Sequence, residues 1–284
     1  MTMSTPRSIT LLATLLALLP ILVRAQPEMP VEQWKGKTIL LVGAHPDDDS
    51  GSYGTLAMLR ANGNEVFVLL LTTGNVGTGD PDMTRDWLAK IRRQEELSAL
   101  AELGIPEDHY INLGYTDGMV EFADREEVVK RLVRWYRKIK PDVLFAFEPG
   151  YGYQRWHKAD HRAASYLAAD AARAAEWRLL FPGQIIHEGL EAHQVEAYMF
   201  YSSTEPNTEV DISKYIEQKI AARTKHISQF SAAFNKYMGP DPKDLKRADR
   251  KVFLERMNRA RTGDMLEHFR YYKGPPDGIG SQRR

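Results

Sequence analysis

The chain has 284 residues, 38 Lys plus Arg against 38 Asp plus Glu, and no cysteine. Without cysteine there is no disulfide, no thiol nucleophile and no thiolate ligand, so any bound metal must rest on His, Asp and Glu. Charges of both signs are mixed along the chain instead of forming a basic face, which argues against nucleic acid as the main partner.

The first stretch reads as a leader. Arg7 supplies a positive charge, residues 9–19 are apolar, and Val23-Arg24-Ala25 presents small or aliphatic side chains where a signal peptidase reads. Residues 1–25 are therefore expected to be a signal peptide cleaved after Ala25, leaving an exported product, periplasmic or secreted, with no stable membrane span. The alternative is an uncleaved anchor, for which Pro20 and Arg24 make the apolar segment short of the roughly 20 residues a span needs. Loss of Arg7 and Arg24 leaves a near-neutral mature chain. Residues 26–284, of a length that suits one α/β domain with a substantial core, are expected to form a single domain.

Short apolar runs then alternate with longer amphipathic ones. Strands are expected at Thr38–Ala44, Glu65–Thr73, His109–Leu113, Asp142–Phe147 and Glu196–Ser202. Helical patterns lie between them: Thr55–Asn62, Arg85–Leu103 closed by Gly104, Arg125–Lys140 closed by Pro141, and Asp160–Glu176. This alternation predicts a Rossmann-like α/β fold, a mainly parallel sheet covered by helices on both faces. Asp211–Phe234 and Lys243–His268 read as a charged, helical C-terminal region, and the end from Lys273 is Gly/Pro-rich and expected to fray.

Two segments carry the chemistry. Ala44-His45-Pro46-Asp47-Asp48-Asp49 ends the first strand with one imidazole and three carboxylates. Desolvating such a group without a cation would cost several kcal/mol per charge, on the order of that for any unpaired buried ion, and a divalent ion removes the difficulty. The alternative is a solvated turn whose carboxylates cap the next helix. Far downstream, His157-Lys158-Ala159-Asp160-His161 offers two imidazoles four residues apart, with Asp160 as a candidate N-cap; the bland alternative leaves both rings exposed and idle. Together the two segments suggest a zinc site with an open position. His109, His187, His193, His226 and His268 have no pattern that makes them ligands.

Ala44-His45-Pro46-Asp47-Asp48 resembles the signature of the PIG-L/LmbE-like de-N-acetylases, zinc hydrolases that remove acetyl groups from N-acetylglucosamine units. Thr72-Thr73-Gly74, Arg93 to Leu97 with Leu103-Gly104, Leu113-Gly114-Tyr115-Thr116-Asp117-Gly118, Asp160-His161-Arg162-Ala163-Ala164 and Lys225-His226-Ile227-Ser228-Gln229 fall in that family's order. The resemblance implies one zinc ion per chain on His45, Asp48 and His161, Asp47 as general base, and His157 as protonated donor to the oxyanion. It also implies Arg93 and Asp117 as groups facing an N-acetylated sugar, small or oligomeric; the alternative for that pair is a structural ion pair. Asp49 stands where the family usually has Glu, and one extra residue separates His157 from His161. The Gly- and aromatic-rich stretch 149–156, with Tyr151, Tyr153 and Trp156, suits a loop beside a sugar cleft, or one packed on its own domain. Rival readings are an amidase of a larger sugar conjugate and a non-catalytic carbohydrate-binding protein on the same scaffold.

Overall fold

The computed structural model describes residues 27–150, 158–229 and 265–274. The expected signal peptide, His157 with the aromatic loop before it, and most of the second helical stretch of the tail lie outside the described residues. Strands β1 (Thr38–Gly43), β2 (Glu65–Thr72), β3 (Tyr110–Tyr115), β4 (Val143–Phe147), β5 (Ala197–Tyr201), β6 (Thr208–Asp211) and β7 (Leu266–Lys273) form one sheet in the order β3-β2-β1-β4-β5-β7-β6. The first five run parallel, with Leu41 of β1 level with Val68 of β2 and Phe145 of β4. Residues Ile39 to Val42 are wholly buried, as a central strand covered on both faces requires.

Helices α1 (Tyr53–Ala61) and α2 (Arg85–Glu102) connect the first three strands, and α3 (Arg125–Ile139) and α4 (Ala159–Ala175) lead to β4 and toward β5. Right-handed crossovers that run first one way and then the other put the two pairs on opposite faces. A short α5 (Pro182–Ile186) follows α4, and α6 (Ile216–Arg223) packs on α1 and α2. The helix ends follow local chemistry. Thr84 and Asp124 accept N–H bonds from Trp87 and Glu127 at the starts of α2 and α3. Gly104, at φ +73°, ends α2 in a left-handed turn closed by the Ile105 N–H on the Leu100 carbonyl.

The tail departs from the all-helical expectation. Helix α6 and the turn at Ile227–Gln229 lie within the first helical stretch, but Leu266–His268 belong to β7, which pairs antiparallel with β5 and β6. The cause is Glu267, whose buried carboxylate faces inward, accepts the Gly54 and Thr55 N–H groups at the start of α1 and pairs with Lys219 at 2.8 Å. A charge at an inward position hides the alternation by which a strand is recognised.

Candidate active site

Strand order reverses between β1 and β4, where the crossovers leave in opposite directions, and a crevice opens there at the carboxyl ends of the strands. The segment after β1 and the first turn of α4 meet in it. The Nδ1 of His45 lies 3.1 Å from Nε2 of His161 and 3.5 Å from Oδ2 of Asp48, and Asp48 Oδ1 lies 3.1 Å from that same Nε2. Tetrahedral ligands about 2.0–2.1 Å from one centre stand about 3.3 Å apart, so two nitrogens and a carboxylate at these separations fit a zinc-sized cation.

Each of the three is held by its surroundings. Asp48 Oδ2 accepts the Ala44 and His45 N–H groups, both at 2.7 Å, and the His161 ring stacks on Phe147 at 4.4 Å. The Nε2 of His45 meets Asp117 Oδ1 at 3.0 Å and Asp160 Oδ2 at 3.2 Å. Two carboxylates on Nε2 hold a proton there, which leaves Nδ1 as the nitrogen that faces Asp48 and His161 and would carry the lone pair once a cation takes the place of its proton. Burial works against a charged His45 ring, yet Asp48, Asp117 and Asp160 hold its pKa well above the ordinary imidazole value. Burial likewise raises Asp48, but the His161 and His45 rings outweigh it and hold the carboxyl well below the usual aspartate range. The cluster thus draws positive charge, and a divalent cation is one way to supply it.

Asp47 faces the same cavity of about 430 Å³, whose wall includes His45, Asp48, Arg92, Asp117, Lys158, His161, Ser202 and Gln229. Its backbone sits at φ +139°, a strained conformation for a residue with a side chain. Burial pushes its carboxyl up, with Asp48 adding to the rise and Arg92 opposing it. The buried guanidinium of Arg92 sits 3.3 Å from Asp47, donates to the Pro46 and Gly74 carbonyls at 2.9 Å, and lies 3.8 Å from Asp117. A Cβ on Gly74 would lie 2.4 Å from that guanidinium, so glycine is required for so close an approach.

Two sequence expectations need correction. Arg93 is absent from the cavity wall; it is exposed on α2 and pairs with Glu107 at 3.1 Å. The inward face of α2 carries Leu88, Ile91, Arg92, Glu95, Glu96 and Ala99, and helical phase puts the next residue, Arg93, outside. Asp160 is no N-cap: it sits within the first turn of α4 and accepts the Gly118 and Val120 N–H groups at 2.7 and 3.0 Å, besides touching His45. Asp117 does line the cavity, although its Oδ1 is engaged by His45. Burial raises its pKa, but His45 and Arg92 outweigh that and bring it to about 2. Lys158 and Gln229 lie within motif-bearing segments and Ser202 ends an expected strand, but no pattern singles out any of the three.

Asp49 turns the other way, into the protein. It is fully buried facing Glu96, and burial pushes Asp49 up to about 7 and Glu96 well above the ordinary glutamate value. Beside them His226, at 2.6 Å from the Tyr53 hydroxyl, is pushed down to about 3 by burial and by Arg92.

Residues 40–172 match the PIG-L family, described as GlcNAc-PI de-N-acetylase. A diacetylchitobiose deacetylase of Thermococcus kodakarensis is 34% identical over 195 residues, 68% of this chain and 70% of the relative. A 1D-myo-inositol 2-acetamido-2-deoxy-alpha-D-glucopyranoside deacetylase of Kineococcus radiotolerans is 33% identical over 172 residues, 49% of this chain and 48% of that one. Among solved structures, the N,N'-diacetylchitobiose deacetylase of Pyrococcus horikoshii, in complex with an inhibitor, superposes with a TM-score of 0.69 at 27% identity, covering 86% of each chain. With its signature strand, crevice and ligand-competent triad, this chain belongs to the PIG-L family of metal-dependent de-N-acetylases.

Proposed function

We propose that this protein is an exported N-deacetylase of an N-acetylglucosamine-type sugar or glycoconjugate, with one zinc ion on His45, Asp48 and His161 and Asp47 as general base. The observation that carries this reading is the proximity of Asp47 to three ligand atoms in one cavity. The named substrates of the relatives share a 2-acetamido-glucose unit, and the cavity is of a size that suits small-molecule sites.

A zinc ion so held supplies Lewis acidity at an amide carbonyl and lowers the pKa of water toward about 7. The chain's own groups do the rest. Asp47, with its raised proton affinity, takes a proton from the attacking water and returns it to the amine as the C–N bond breaks. Arg92 fixes the position of Asp47 and, with Asp117, offers charged partners to sugar hydroxyls. Asp160 and Asp117 orient His45. His157, the expected oxyanion donor, lies outside the described residues, and its role is tested by substitution.

The experiment is metal analysis joined to an acetate-release screen over N-acetylglucosamine, its oligomers and its conjugates. Stoichiometric zinc and acetate release are expected. Saturable sugar binding with no acetate from zinc-replete protein would instead make this a carbohydrate-binding protein.

A further inference from the structure

At the end of the sheet opposite the cavity, four large apolar side chains stand in solvent. Trp177, Leu179 and Leu180 follow α4, and Ile186 ends α5; Leu179 is 89% and Ile186 71% exposed. The turn that carries them is firmly held. Buried Arg137 donates to the Trp177 and Leu180 carbonyls, both at 2.9 Å, to Phe181 O at 3.3 Å and to Gln184 Oε1 at 3.1 Å. The backbone is thus pinned while its apolar side chains point outward, as expected of a surface built to meet a partner.

A basic strip adjoins this patch. Besides the buried Arg137, residues 128–141 carry Lys130, Arg131, Arg134, Lys138 and Lys140 and no acidic residue, Lys130 pairing with Glu127 one turn earlier. Arg131, Arg134, Lys138 and Trp135 line a groove of about 440 Å³ whose other wall is Glu188 and Leu190, just beyond Ile186. Glu188 and Glu191 neutralise Arg134 and Lys140. Arg131 donates to the Leu113 carbonyl at 2.7 Å, but among the described residues no carboxylate pairs with Lys138 or Arg178, so the rim of the patch keeps surplus positive charge.

We propose that this face docks on an anionic lipid bilayer, with Trp177, Leu179, Leu180 and Ile186 entering the interface and the surplus cations meeting lipid phosphates. A second copy of the chain fits the patch poorly, because a two-fold contact would set these cations against themselves. Docking in this way turns the cavity away from the lipid, and it holds whatever reaction the cavity performs.

The test uses residues 26–284, whose packed part begins at Val31, sedimented with vesicles of phosphatidylcholine with and without a third of phosphatidylglycerol. Binding to the anionic vesicles is expected, weaker by about tenfold without phosphatidylglycerol. Leu179→Ser with Ile186→Ser should weaken it by about tenfold or more, and Lys138→Glu with Arg178→Glu should abolish the preference for phosphatidylglycerol, acetate release being unchanged in both. Brominated lipid should quench wild-type tryptophan emission and quench Trp177→Ser less. Absence of binding to anionic vesicles, equal binding by wild type and variants, or a dimeric wild type that the Ser variants render monomeric would overturn the proposal.

Discussion

Asp48 and Asp49 are chain neighbours with the same side chain, yet their surroundings drive them to opposite charge states. Asp48 has two backbone N–H donors on one oxygen and an imidazole within 3.1 Å of the other, and it stays ionised. Asp49 faces Glu96 in the buried interior, where the Tyr53 hydroxyl and a His226 kept neutral offer no positive charge, and burial pushes its carboxyl up to about 7. Burial is common to both, so partners decide. Of the two acidic clusters that meet at this turn, only the one facing the cavity is arranged to take a cation; the inner one is arranged to keep protons.

The largest test of that contrast is removal of a cavity ligand. Asp48→Ala and His161→Ala should each lose zinc and, with it, activity by about four orders of magnitude, as metal analysis and acetate release would record. Either variant keeping both zinc and turnover would refute the ligand set. Asp47→Asn should retain a full complement of zinc while kcat falls by roughly 10²–10⁴, the usual worth of a positioned base. A wild-type rate in zinc-replete Asp47→Asn would remove the base assignment and leave the metal site standing.

The inner cluster should answer to pH through stability. Burial raises Glu95 to about 7, although the Ser228 N–H and hydroxyl, at 2.9 and 2.6 Å, and Arg92 oppose the rise. In the unfolded chain the same group ionises near pH 4.3, at the ordinary glutamate value of about that size. Folding therefore binds a proton between those limits: the contribution to stability is complete below about pH 4 and is lost as pH rises through about 7, a span worth about 4 kcal/mol. Glu95→Gln, whose amide can still bond Ser228, should flatten that part of the curve in urea melts at pH 4.5 and 7.5. An unchanged slope would mean that Glu95 is ionised in the folded protein.

Asp160→Asn probes the link between the clusters' surroundings and the cation. It keeps the size of the side chain but removes a charge from His45 Nε2, and zinc affinity should fall by about 10–100-fold with the fold intact. Competition with a chelator measures this; an unaltered affinity would show that Asp117 alone suffices to orient the ring.

How far the sequence could be read follows from these same residues. Strands β1 to β5 and helices α1 to α4 announce themselves by apolar period, and His45 and Asp48 are conspicuous because they stand three positions apart on one turn. Strand β7 hides because Glu267 occupies an inward position to cap α1. Asp160 resembles an N-cap until the Gly118 and Val120 N–H groups, 42 and 40 residues away, are brought to it by the fold. Lys158, Ser202 and Gln229 reach the cavity through tertiary structure alone. Local pattern carries what one element dictates, and loses what two distant elements decide together.

The smallest expected effect is the most discriminating for the helical phase of α2. Arg93 and Arg92 are adjacent, but only the second has its guanidinium against Asp47, Pro46 O and Gly74 O. Arg93 pairs with Glu107 where both side chains are more than half exposed, and such pairs contribute at most about 1 kcal/mol. Arg93→Ala should therefore leave kcat/KM for any N-acetylated sugar substrate within about twofold of wild type and shift stability by about 0.5 kcal/mol or less. A loss of tenfold or more in kcat/KM at unchanged stability would bring Arg93 to the substrate after all, and would require α2 to turn by a quarter of its circumference relative to the position that buries Leu88 and Ala99.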